Sequence, residues 1–184
     1  MDCPPPLVSM ETVALPNEDG SLTVVSNATT DTRQVTAGYD LRLNQTQAAV
    51  AGEVDLTNRR PAQSATIRYR WSRAIDDRLR PAIQEGSSVC YDPEQSLLVV
   101  QLEATVEAGE TVSLPLEWSV RLHPAEDINL DGVVDGADQG LLFADWGSDN
   151  FRSDLNRDGV VNGADLGLLS AKRGWSAPWL EPTP

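Results

Sequence analysis

Two stretches in the C-terminal third decide how this chain is read: DINLDGVVDGADQGLL, residues 127–142, and DLNRDGVVNGADLGLL, residues 154–169. Set over one another at an offset of 27, they agree at 12 of 16 positions. Self-similarity at a fixed offset marks a repeated structural unit. Each copy opens with D-x-N-x-D-G, alternating oxygen-bearing side chains followed by a glycine. Calcium takes roughly six to eight hard oxygen ligands in a flexible shell. A short loop can supply them only if it turns sharply, and a glycine at the sixth position permits that turn.

This reading predicts two Ca2+ ions. In the first loop Asp127, Asn129 and Asp131 fill positions 1, 3 and 5, and Val133 offers its main-chain carbonyl at position 7. Asp135 at position 9 acts through water, and Asp138 at position 12 closes the shell. The second loop places Asp154, Asn156, Asp158, Val160, Asn162 and Asp165 at the same positions. Asn162 stands where the first loop has Asp135, so the first loop carries one more carboxylate and is expected to bind more tightly. Each loop leads into a short helix, 137–146 stopped by Gly147 and 164–173 stopped by Gly174. Leu141, Leu142, Leu168 and Leu169 are expected to form a small core between the helices, and Val134 and Val161 to pair across the loops. Phe143, Trp146, Trp175 and Trp179 are the candidate partner-binding residues, with clamping of the module's ends as their structural reading.

No full helix fits before either loop, because Pro124 blocks one and only 148–153 precedes the other. This duplicated loop–helix form over residues 127–175 resembles the dockerin module. The resemblance implies two structural calcium ions, no catalysis, and attachment of extracellular proteins to a cohesin-like β-sandwich partner. Many dockerins carry small hydroxyl residues at positions 10 and 11; here Gly136, Ala137, Gly163 and Ala164 stand there, a departure from the cellulosomal pattern.

Upstream, residues 21–124 change to period two. Tyr39, Leu41 and Leu43 alternate with polar residues, as do Val54 and Leu56, then Ile67, Tyr69 and Trp71. Leu98 to Val106 and Val112 to Leu122 continue the pattern, which is that of strands with one wet face. Trp71 and Trp118 fall in phase with the buried face. Pro115 falls on the polar phase, which predicts an edge or a bulge. Short strands at this spacing predict a β-sandwich. Segments 50–71 and 107–118 resemble an immunoglobulin-like domain of bacterial surface proteins. The whole is therefore expected to be mainly β: an extended Pro-rich segment at 1–20 with a short strand near 7–15, an immunoglobulin-like sandwich at 21–124, a small α calcium-binding module at 125–176, and a Pro-rich tail at 177–184.

Composition narrows the function. A formal net charge of −14 over 184 residues argues against nucleic acid, whose phosphates need clustered Lys and Arg. No stretch is apolar for the roughly 20 residues of a membrane helix. Cys3 and Cys90 are either free thiols or one possible disulfide, and without a C-x-x-C pair zinc is not expected. Residues 1–20 show neither the basic nor the apolar region of a signal peptide. His123 is the single histidine and no G-x-S-x-G elbow exists, so an enzyme is not expected.

The expectation is an extracellular or cell-surface, non-catalytic calcium-binding protein acting in protein–protein assembly. Its partner is a cohesin-like β-sandwich protein or, alternatively, other copies of itself in a filament built by strand addition or head-to-tail contact. A third possibility, a carbohydrate-binding module with a dockerin anchor, requires a row of exposed aromatic rings on the sandwich.

Overall fold

A computed structural model describes residues 11–180. Among these the chain is mainly β, with nine strands and two short helices. The contacts divide it into two units, one of residues 11–75 and 83–121, the other of 76–82 and 122–180.

The first unit is a two-sheet sandwich. Strands β1 (Glu11–Pro16), β2 (Leu22–Thr29), β3 (Arg33–Leu43), β4 (Gln47–Asn58) and β9 (Thr111–Pro124) lie antiparallel in the order β1-β2-β3-β4-β9. Strands β5 (Ala65–Ala74), β7 (Val89–Asp92) and β8 (Leu97–Val106) form the second sheet, in the order β5-β8-β7. The predicted alternation sets the register. On β4, Ala48, Val50, Val54 and Leu56 are buried while Ala51 and Glu53 face water. Trp71 of β5 meets Trp118 of β9 edge-on at 4.8 Å in the core, and Tyr39 packs on Trp71 at 6.5 Å. Tyr39 lies beside Gly52, where a Cβ would fall 2.1 Å from the Gly38 carbonyl oxygen. Asn58 is fully buried and satisfied, its Nδ2 donating to Val106 O at 2.9 Å and to Gln63 O at 2.7 Å. That bond stitches one sheet to the other where an unpaired amide would be costly.

Several expectations change here. Four consecutive strands run as a meander, whereas immunoglobulin sheets have the order A-B-E-D against C-F-G. Short turns between long strands, at 30–32 and 44–46, favour sequential antiparallel neighbours. Residues 11–16 form an edge strand paired with β2, so they belong to the sandwich and not to a separate extended segment. Residues 7–10 of the expected first strand lie outside the described residues. Pro115 sits in regular register opposite Glu53, and over 111–121 β9 pairs with β4 alone, an edge as predicted. Cys90 on β7 is disulfide-bonded; Cys3 lies outside the described residues.

The second unit holds α1 (Gly136–Ala144) and α2 (Gly163–Lys172), each a residue or two shorter than its predicted span at the C-terminal end. It also takes in β6 (Leu79–Pro81), which pairs with the last three residues of β9, Leu122 to Pro124. Sequence reading gave 76–82 to the sandwich; the fold gives it to the second unit. The core is Ile128, Val134, Leu142, Val161 and Leu169, flanked by Leu141, Leu155, Leu166 and Trp175. Leu168, expected inside, is 41% exposed. Val134 and Val161 share this core but do not pair with each other. Val134 exchanges hydrogen bonds with Gly174 and Trp175, after α2, and Val161 with Gly147 and Ser148, after α1. Each loop is thus sewn to the end of the other loop's helix. Ala177 is fully buried and its N–H bonds Gly132 O at 2.7 Å, so the unit continues past 176. Five buried aliphatic side chains make a thin core, the situation in which small folds lean on a bound metal or another staple.

Candidate metal centre

The two loops are built by the same hydrogen bonds. Position 1 comes first. Asp127 accepts the Gly132 N–H on Oδ2 at 2.9 Å and the Asp131 N–H on Oδ1 at 3.2 Å. Asp154 accepts the Gly159 and Asp158 N–H groups in the same way, also at 2.9 and 3.2 Å. Position 12 closes the loop from the other side. Asp138 Oδ1 accepts Ile128 N–H at 2.8 Å and Asn129 N–H at 3.2 Å, and its Oδ2 accepts Asp135 N–H at 2.8 Å. Asp165 repeats this with Leu155, Asn156 and Asn162 at 2.8, 3.1 and 2.8 Å. Asp131 and Asp158 accept the N–H two residues on, from Val133 at 2.9 Å and Val160 at 3.0 Å. Their other oxygens take the amides of Asn129 and Asn156, each at 2.8 Å.

Backbone geometry follows. Gly132 and Gly159 have φ of +96° and +90°. The fourth residues, Leu130 and Arg157, both sit at φ +58°, a region that costs a side-chain-bearing residue about 1 kcal/mol or more. The position-1 carboxylates bridging to residues 131–132 and 158–159 hold that conformation in place.

Positions 9 and 12 have a role that sequence reading missed. Asp135 and Asn162 are the N-caps of α1 and α2, accepting from Ala137 and Ala164 at 2.7 Å. Asp138 and Asp165 return the bond to the cap's own N–H, completing a capping box. The acid at position 12 also stands in the first turn, where the helix dipole favours it.

The donor set suits a hard divalent cation. Every side-chain donor is an oxygen, and thiols and imidazoles, the ligands of softer metals, are lacking at these positions. Asp127, Asp138 and Asp165 are fully buried and Asp154 nearly so. Buried carboxylates are costly unless a counter-charge joins their hydrogen bonds. Among the described residues, however, no three His, Cys, Asp or Glu side chains converge as a metal cluster. The carboxylates at positions 1, 5 and 12 are turned to N–H groups. The remaining donors are the amide at position 3, the main-chain carbonyl at position 7, and at position 9 the Asp135 carboxylate in the first loop or the Asn162 amide in the second, each engaged as a helix cap.

The surroundings of the loops differ. His123 Nδ1 lies 2.7 Å from Asp127 Oδ2, with both groups buried. Before the second loop, Arg80 donates to the carbonyls of Phe151, at 3.0 Å, and Arg152. Arg80 and Arg157 both lie over the Phe151 ring, at 5.2 and 5.1 Å, and Arg157 also reaches Asp77 O at 2.7 Å. Asp145, after α1, accepts from Arg152, Ser153 and Asn150. The Arg152 hydrogen bond, ahead of that from Ser153 and against partial desolvation, holds its carboxyl down at about 2.

Of the candidate partner residues, Phe143 and Trp146 are half exposed and lie together with ring centroids 5.7 Å apart. Trp175 packs on the small core, and Trp179 meets His123 edge-on at 5.2 Å. His123, Arg80 and the 76–82 segment were not recognised from sequence; the spacing of His123 four residues before the first loop aspartate was the available signal. No family model matches the chain, and no curated protein or solved structure matches it.

Proposed function

We propose that the second unit is a dockerin-like calcium module of a non-catalytic, extracellular assembly protein, and that calcium is structural. The carrying observation is the duplicated frame: two loops with the same hydrogen bonds and nearly identical distances, each with buried carboxylates at positions 1 and 12. Asp127, Asn129, Asp131, the Val133 carbonyl, Asp135 and Asp138 would hold one ion. Asp154, Asn156, Asp158, the Val160 carbonyl, Asn162 and Asp165 would hold the other. The ion would supply positive charge to these buried carboxylates, and a ligand that binds the folded form alone stabilises it. Phe143 and Trp146 are the exposed pair that a cohesin-like β-sandwich would cover.

Isothermal titration of calcium into the chelator-stripped chain tests this reading. Two ions per chain and a rise in the unfolding temperature of the second unit are expected; absence of binding at millimolar calcium overturns it.

Self-association draws on a separate observation. β1 is an edge strand whose Val13 and Leu15 are 61% and 58% exposed, beside Val25 at 53%. Light scattering in calcium distinguishes a polymer from a monomer. The carbohydrate reading lacks its platform, because Tyr39, Tyr69, Trp71, Tyr91 and Trp118 of the sandwich are all buried or half-buried. The immunoglobulin-like relationship rests on strand pattern and not on strand order.

A further inference from the structure

His123 is the chain's single histidine, and it is 3% exposed. Its Nδ1 faces Asp127 Oδ2 at 2.7 Å. A carboxylate oxygen only accepts, so Nδ1 carries the hydrogen. The same Oδ2 also accepts Gly132 N–H at 2.9 Å, whereas Oδ1 takes the longer 3.2 Å bond from Asp131. Two short bonds on one oxygen fix the rotation of the carboxylate and leave Oδ1 the less committed atom. The imidazole is itself fixed. Its backbone pairs with Arg80 across the β6–β9 ribbon, and the Trp179 ring stands edge-on to it at 5.2 Å.

The second loop lacks this arrangement. Four residues before Asp154 stands Asn150, whose amide turns away to Asp145 at 3.0 Å. Inside the loops the bonds to position 1 are otherwise the same, so the imidazole is what distinguishes Asp127 from Asp154.

We propose that His123 is a positioning residue for the first loop's cation: its Nδ1–H pins Asp127 Oδ2 and so presents Oδ1 to the calcium ion. This rests on the calcium reading above. Hydrogen-bond partners behind a metal ligand set its orientation and basicity, and their loss typically lowers metal affinity about 10–100-fold. The extra carboxylate of Asp135 also favours the first loop, so wild-type affinities alone do not isolate the contribution of His123.

The test uses the full chain, labelled with 15N and titrated with calcium chloride. The amide resonances of Gly132 and Gly159, whose N–H groups bond to Asp127 and Asp154, report the two loops separately. His123→Phe keeps a ring against Trp179 and removes the donor; His123→Asn returns an N–H near the place of Nδ1. The Phe variant is expected to weaken binding reported by Gly132 about 10–100-fold, with Gly159 changed less than about 3-fold and the Asn variant recovering most of the loss. Equal weakening of both loops, or of neither, overturns the positioning role. A wild-type chain that takes up no calcium overturns the reading beneath it. Should the Phe variant not fold, the imidazole nitrogen shifts of the calcium-free wild type decide: a protonated Nδ1 supports the proposal, and a bare Nδ1 overturns it.

Discussion

Residues 127–138 and 154–165 match in their internal hydrogen bonds to within 0.1 Å, yet their surroundings have little in common. The first loop lies under residues 175–180. A Cβ on Gly132 would fall 2.8 Å from Leu180 Cδ1, whereas one on Gly159 would meet nothing within 4 Å. The first loop leans on a buried imidazole, the second on two guanidiniums and a phenylalanine. At position 9, Asp135 contributes a carboxylate, while the amide of Asn162 donates to the Val160 carbonyl at 3.1 Å. A repeated sequence therefore fixes the repeated frame, and residues that the two copies do not share decide how firmly each copy is held. Equal frames with unequal supports predict which substitutions act alike in the two halves and which do not.

The largest effect is expected where the halves are the same. Leu142 and Leu169 are 0% and 1% exposed, at matching places in α1 and α2. Leu142→Ala and Leu169→Ala should each cost about 2–5 kcal/mol, because each leaves a cavity in a core too thin to collapse around it. The preceding leucines break the symmetry: Leu141 is half-buried against the core and Leu168 is exposed. Leu141→Ala should therefore cost more than Leu168→Ala, whose effect should stay within about 0.5 kcal/mol. Denaturant unfolding followed by tryptophan fluorescence measures all four. Equal losses at Leu141 and Leu168 would show that the halves are packed more alike than their exposures indicate.

Arg80→Ala sharpens the comparison from outside the repeat. It removes the donors to the Phe151 and Arg152 carbonyls and one of the two cations over the Phe151 ring. A cost of about 2 kcal/mol is expected, falling on the second loop. Hydrogen exchange reads this locally: the amides of Asp158 and Gly159 should exchange faster, while those of Asp131 and Gly132 change little. Uniform acceleration would mean that Arg80 supports the whole unit and not one loop.

How much of this was legible follows from where the information lies. The alternation of β4 and β9 and the D-x-N-x-D-G spacing are local patterns, so strands, loops and helices could be read from residues close together in sequence. The capping boxes were also written locally, as D-x-x-D at 135–138 and N-x-x-D at 162–165, but the ligand reading of those residues obscured them. Strand order was not local. Whether β3 pairs with β4 or crosses to the other sheet depends on turn length and packing, which an alternating pattern does not encode. The supports of the loops were least legible. Arg80 stands 71 positions before Phe151 in the chain, and nothing in LRP at 79–81 announces that it serves a loop so distant. Leu130 and Arg157 adopt φ +58° although neither residue type favours it, because side-chain acceptors elsewhere in the loop impose it.

The smallest expected effect comes from acid. Asp145 ties the turn after α1 to the approach of the second loop through Arg152, Ser153 and Asn150, and these bonds hold its pKa at about 2 against an ordinary 3.8. A carboxyl whose pKa is lower in the folded chain stabilises the fold fully above its unfolded value and loses that contribution as pH falls through the folded value. The window therefore runs from about pH 4 down to about 2. Because Arg152 is 44% exposed, solvent screens the pair, and Asp145→Asn should cost about 1 kcal/mol near neutral pH. Other carboxylates titrate in the same range, so the informative quantity is the difference between wild type and variant, measured by urea unfolding in chelator. That difference should be constant from pH 7 to about 4 and shrink toward zero near pH 2. A difference that persists below pH 2 would place the role of Asp145 in geometry and not in charge. The turn before the second loop would then be held by the shape of residues 145–153, as the turn before the first is held by the pairing of β6 with β9.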